Sequence, residues 1–130
     1  MNNAYLKYVM VKDALNSEHY QLGKHLRRIL INPDNNDYHF QQNLHSLTEF
    51  LDLLQRHQAT EDTLLLAIGS QSSEVHLQVH QEILDYVLFI VQKSRDERSI
   101  SPELIQRLLT ILEAHITTLD LEFEESFDHH

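Results

Sequence analysis

Glycine and proline are nearly missing from this chain, with two of each in 130 residues. β-Turns depend on both residue types and helix interiors exclude them, so the shortage removes the punctuation that an all-β chain of this length needs. Between the few breaks, apolar residues recur at helical spacing in four segments. The first runs from about Val11 to Ile31, with Leu15, Leu22, Leu26 and Ile29 on one stripe, and ends at Pro33. Asp37, with Asn35 and Asn36 before it, can cap the second, which carries Leu44, Leu47, Phe50, Leu51, Leu54, Leu64 and Leu65 towards a stop at Gly69. Ser70 to Ser73 offer caps for the third, whose stripe of Val75, Val79, Ile83, Val87, Ile90 and Val91 dissolves into Ser94 to Ser99. Ser101 followed by Pro102 is a cap with proline at the first helical position, and it opens the fourth segment, with Leu104, Ile105, Leu108, Ile111, Leu112, Leu119 and Phe123. Four amphipathic helices joined by short connections predict an all-α, up-down-up-down antiparallel four-helix bundle, one domain over residues 1–130. At roughly 20 residues and about 30 Å per helix, a site at mid-bundle is shielded at both ends.

Ten basic against twenty acidic residues give a formal charge of −10, which repels nucleic acid and anionic membrane surfaces. The densest basic run, Lys24, His25, Arg27 and Arg28, is one solvated helical turn and covers few phosphates. Cysteine is absent, which excludes disulfides, iron–sulfur clusters and thiolate zinc sites together. Met1 to Met10 shows neither a secretory signal nor a membrane span, so the expected compartment is the cytoplasm.

Ten histidines are many for a chain of this size, even if His129 and His130 belong to a purification tag. His57 and Glu61 are four apart in the second segment, as are His76 and His80 in the third, so each pair shares a helix face and can grip one metal. His115 and Asp120 are five apart, about 140° around an ideal helix, and geometry alone does not pair them. His19 shares the stripe of Leu15, Leu22 and Leu26, which points its ring inward. Burying several imidazoles and two carboxylates with no balancing cation costs several kcal/mol or more. A bound cation resolves that conflict, and imidazole with carboxylate suits iron, manganese, zinc or copper better than magnesium or calcium.

The order His19, then His57-Gln58-Ala59-Thr60-Glu61, then His76-Leu77-Gln78-Val79-His80, then His115-Ile116-Thr117-Thr118-Leu119-Asp120 resembles the hemerythrin family, particularly its bacterial members. Glu18-His19-Tyr20-Gln21-Leu22 also resembles the family's first-helix pattern. The resemblance implies a centre of two iron ions, with His76, His80 and His115 on one and His19 and His57 on the other. Glu61 and Asp120 would bridge them together with an oxo or hydroxo group, and O2 would bind reversibly at the open position beside His19 and His57. Leu112, three residues before His115, would line that pocket. The chain departs from the family around the ligands: it has no Trp, Ile111 stands where Trp often precedes the last-helix His, and Gln58 follows His57 where Phe is common. A more polar pocket is expected to admit water and favour oxidation.

His25, His39 and His45 lie off the ligand faces and are expected at the surface, where His39 and His45 could join a second, adventitious metal site. The expected role is an O2-binding protein for carriage, storage or delivery, not an enzyme. The alternatives are an O2 or redox sensor acting on a partner in trans, and a di-iron oxidase or peroxidase, although di-iron oxygenases carry more carboxylates.

Overall fold

The computed structural model describes the backbone over 3–32, 36–67 and 73–128, and the side chains over 13–32, 36–64 and 74–118. Four helices account for nearly all of it: α1 (Asn3–Ile31), α2 (Asp37–Ala67), α3 (Ser73–Glu97) and α4 (Pro102–Asp128). Among the described residues there is no strand, and no helix is long and apolar enough to cross a membrane. α1 packs against α2 and α4, and α3 packs against the same two helices, so the four enclose one interior.

The ends of these helices follow local chemistry. α1 begins at Asn3, eight residues before the apolar stripe, because nothing between Asn3 and Met10 breaks a helix. At α2 the cap is Asn36, not Asp37: Asn36 Oδ1 accepts the His39 backbone N–H at 2.8 Å, and its carbonyl accepts that of Phe40. Asp37 lies one residue further on, in the first turn, where its charge favours the helix dipole. α3 runs through Ser94, which is buried, to Glu97. There Arg98 turns to φ 53° and the Ser99 N–H bonds the Ser94 carbonyl, the closing pattern of a left-handed C-terminal cap. Ser101 caps α4 as expected, its Oγ accepting the Leu104 N–H at 3.4 Å.

The interior is built from the inward stripes: Leu22, Leu26 and Ile29 of α1, Leu47, Phe50 and Leu54 of α2, Val87 and Ile90 of α3, and Ile105, Leu108 and Leu112 of α4. Two stripe residues do not join it. Val75 is 61% exposed and Ile111 36%, because α3 and α4 stand apart there and leave an apolar groove of about 440 Å³ lined by Val75, Val79, Ile83 and Ile111. Leu65, Gly69, Leu119 and Phe123 lie outside the residues whose side chains are described. Towards the end of the bundle where α3 begins, the apolar packing gives way to buried polar side chains.

Candidate metal centre

Six of the seven expected ligands have described side chains, and all six are buried: His19, His57, Glu61, His76, His80 and His115. Asp120 lies on α4 but its side chain is outside the described residues. Two groups of donor atoms form, each with its atoms within 4.8 Å of one another: His19, His57 and Glu61 in one, and Glu61, His80 and His115 in the other. Glu61 belongs to both. Its Oε1 lies 2.7 Å from His57 Nε2 and 3.9 Å from His80 Nε2, while its Oε2 lies 3.7 Å from His115 Nε2. His80 and His115 bring their Nε2 atoms to 3.0 Å, and His19 and His57 set their rings edge to face at 4.4 Å. His76 stands beside the second group, its ring 5.9 Å from that of His115, without a donor atom in either set.

The outer nitrogens of two histidines face carboxylates to which sequence reasoning assigned no role. Glu18 of α1 lies 2.5 Å from His57 Nδ1 on α2 in a hydrogen bond, and Asp62 of α2 lies 2.8 Å from His80 Nδ1 on α3, in contact but not aligned as donor and acceptor. The carboxylate at His57 Nδ1 favours the hydrogen there and turns Nε2 inward, as a metal bound at Nε2 requires. The signal lay in chain position, because Glu18 precedes His19 and Asp62 follows Glu61. Neighbouring residues on a helix point about 100° apart, so a residue beside an inward ligand can reach along the seam to the next helix. Gln58 does not open the site to water: it is 7% exposed, and its amide donates to the His80 backbone carbonyl at 2.9 Å.

Charge is balanced within the cluster. Burial alone raises the Glu61 carboxyl pKa, but the imidazoles of His115 and His57 outweigh it and bring it to about 2. Burial opposes a charge on His57 as well, yet contact with Glu61 and Glu18 raises its pKa overall. His19 goes the other way: burial, then the neighbouring His57, lowers it to about 4. Burial also lowers His80. Both are thus neutral near pH 7, with lone pairs available.

Several of these atoms lack hydrogen bonds despite complete burial, among them both nitrogens of His19, Nε2 of His57 and both oxygens of Glu61. His57 Nε2 and Glu61 Oε1 are in contact but not aligned as donor and acceptor. Each unsatisfied buried group costs about 1–3 kcal/mol. Atoms that converge on common points without satisfying one another are what a bound cation would satisfy, so these buried His/Glu groups could hold metal. The donor set, nitrogen and carboxylate oxygen without sulfur, suits a first-row transition ion.

Leu112 is 2% exposed and lies in the apolar core one turn before His115. The groove between α3 and α4 ends on His76 and His115, and Leu112 does not line it. Of the remaining histidines, His45 is exposed as expected, whereas His25 and His39 are only partly so. No protein-family model, curated protein or solved structure matches this chain.

Proposed function

We propose that the chain is a non-haem di-iron protein of the hemerythrin type, an up-down-up-down antiparallel bundle that binds O2 reversibly for carriage, storage or delivery. The observation that carries this reading is Glu61, a buried carboxylate shared by two donor groups, each oxygen facing different histidines. One shared carboxylate between two His sets is what a pair of metal ions needs and what a single ion does not use. His19 and His57 would hold one iron and His76, His80 and His115 the other, with Glu61 and Asp120 common to both. When bound, such a pair of irons supplies the electrons for reversible O2 uptake.

The chain's own residues then have separable tasks. Glu18 holds the Nδ1 hydrogen of His57 and keeps its ring oriented, while Asp62 places a carboxylate against His80 Nδ1. Gln58 ties α2 to the α3 backbone at the height of the cluster through one N–H of its amide. Leu112 closes the apolar interior one turn from His115, where it would exclude water. Histidine outnumbers carboxylate in the site, which favours holding O2 over activating it.

The test is the optical spectrum of anaerobically iron-loaded protein before and after air. A charge-transfer band that appears with air and disappears under argon supports reversible binding. A permanent oxidised spectrum would favour a redox sensor or an oxidase instead.

A further inference from the structure

Apart from the buried cluster, a second group with the same donor types lies on the seam between α1 and α2. His45-Ser46-Leu47-Thr48-Glu49 repeats the four-residue spacing of His57 and Glu61 on the same helix, and His25 faces it from α1 as His19 faces the first pair. Twelve residues along α2 turn the face by about 120°, which carries the second pair out of the interior to the edge of the seam. The side chains of His45 and Glu49 are accordingly 74% and 49% exposed, while that of His25 is 17% exposed.

We propose that His25, His45 and Glu49 form a separate mononuclear site for a divalent transition metal of the zinc class, bridging α1 and α2. Two distances carry the argument. His45 Nε2 lies 2.7 Å from Glu49 Oε1, and His25 Nδ1 lies 3.9 Å from Glu49 Oε2. Those separations run to different oxygens of Glu49, and the donor atoms of the three residues do not all lie within 4.8 Å of one another, so side chains must turn before they stand about 3.3 Å apart, as ligands with bonds of about 2.0–2.1 Å around tetrahedral zinc do. His25 Nδ1 is buried and makes no hydrogen bond, and 3.9 Å is too long for one to Glu49. That nitrogen therefore faces a carboxylate it does not bond.

The exposed pair can turn towards His25, since His45 and Glu49 have far more solvent around them than His25 does. Burial also lowers the pKa of His25, which keeps its ring neutral and able to ligate. Lys24 and Arg28 lie near enough to act on His25 electrostatically and oppose an added cation there. Affinity should therefore fall short of that at the buried cluster, with water filling the fourth position. His25 is six residues from His19, about 9 Å along the helix, which separates the two sites.

The experiment is a calorimetric titration of iron-loaded protein with Zn2+, in a background carrying His129→Ala and His130→Ala to remove that chelating pair. Iron content is measured before and after. The expected result is one Zn2+ taken up with no loss of iron. His25→Ala, His45→Ala and Glu49→Gln should each weaken binding by roughly tenfold or more, since losing even an outer-sphere partner costs about 10–100-fold. His39→Ala should bind Zn2+ like the parent. A site spanning two helices should also raise the melting temperature with Zn2+ in the parent and not in His45→Ala, a surface change that leaves the core intact. Failure of the parent to take up Zn2+ without losing iron overturns the proposal. So does unchanged affinity in His25→Ala with loss in the other two variants, which would leave a chelate on one helix with no bridge.

Discussion

The burial that prepares His19 as a ligand should make the metal-free protein labile to acid. Its imidazole is held near pKa 4 instead of 6.5 by burial first and by the neighbouring His57 second. Between those two values the unfolded chain takes up a proton at His19 that the folded chain refuses, so stability falls as pH falls. At about 1.4 kcal/mol per pH unit, His19 should cost the fold about 3 kcal/mol between neutral pH and about pH 4.5. His80, also lowered by burial, acts in the same direction. Glu61 does not contribute in this window: its carboxyl is lowered to about 2, so the stability it confers is complete above its unfolded value and is lost only as pH drops towards 2. His57 is raised, so its contribution is fully present below the unfolded value of 6.5 and is lost only at higher pH. Urea unfolding of chelator-treated protein, followed by circular dichroism at about pH 7 and about pH 4.5, measures the difference. His19→Leu, of similar bulk and without a proton site, should lose about 3 kcal/mol less than the parent over the same interval. Surface carboxylates are common to both proteins and cancel in the comparison. Equal losses in the two proteins would refute the reasoning, because His19 would then take up its proton as freely folded as unfolded.

Four further outcomes follow from particular contacts. Glu61→Ala should give iron-loaded protein with one metal or poor occupancy by metal analysis, because this carboxylate serves both donor groups. Glu18→Gln should lower metal affinity by about 10–100-fold in a chelator competition, through the lost charge at His57 Nδ1. Leu112→Ala should cost about 2–5 kcal/mol in unfolding experiments as a buried core residue. It should retain two irons but oxidise irreversibly in air faster than the parent, while His25→Ala changes neither iron content nor that rate. Arg98→Gly should stabilise the protein by about 0.5–1 kcal/mol in thermal melts, by relieving a left-handed backbone in a residue that carries a Cβ.

How much could be read in advance depended on whether the signal was local. Ser101 and Pro102 mark the start of α4 because cap and proline act on their own turn. At α2 three consecutive residues, Asn35, Asn36 and Asp37, are each able to cap, and nothing in their order selects Asn36. The end of α3 carried no glycine to announce it; Arg98 takes the left-handed position that glycine usually fills, and Ser94, a poor helix former, is retained because it is buried. Val75 and Ile111 fit their stripes by spacing, yet periodicity cannot show that α3 and α4 part company beside them. His57, His76 and His80 were legible for the opposite reason: a spacing of four on an amphipathic helix fixes a common face without reference to any other helix, whereas His115, five residues from Asp120, entered only through the family resemblance.

What spacing could not show is how the ligands are oriented, and here the fold contributes most. Glu18 on α1 sets the tautomer of His57 on α2 through a hydrogen bond, and Asp62 on α2 stands against His80 Nδ1 on α3. Each ring thus meets a carboxylate of the helix before it, and Gln58 ties α2 to α3 at the same level through the His80 carbonyl. Sliding one helix against the next by a single residue, about 1.5 Å, would break such a carboxylate contact and leave the ring free to present the wrong nitrogen. Helix register would therefore be coupled to metal binding through Glu18. A metal held at Nε2 of His57 would draw its Nδ1 hydrogen more firmly towards Glu18 and tighten that seam in return.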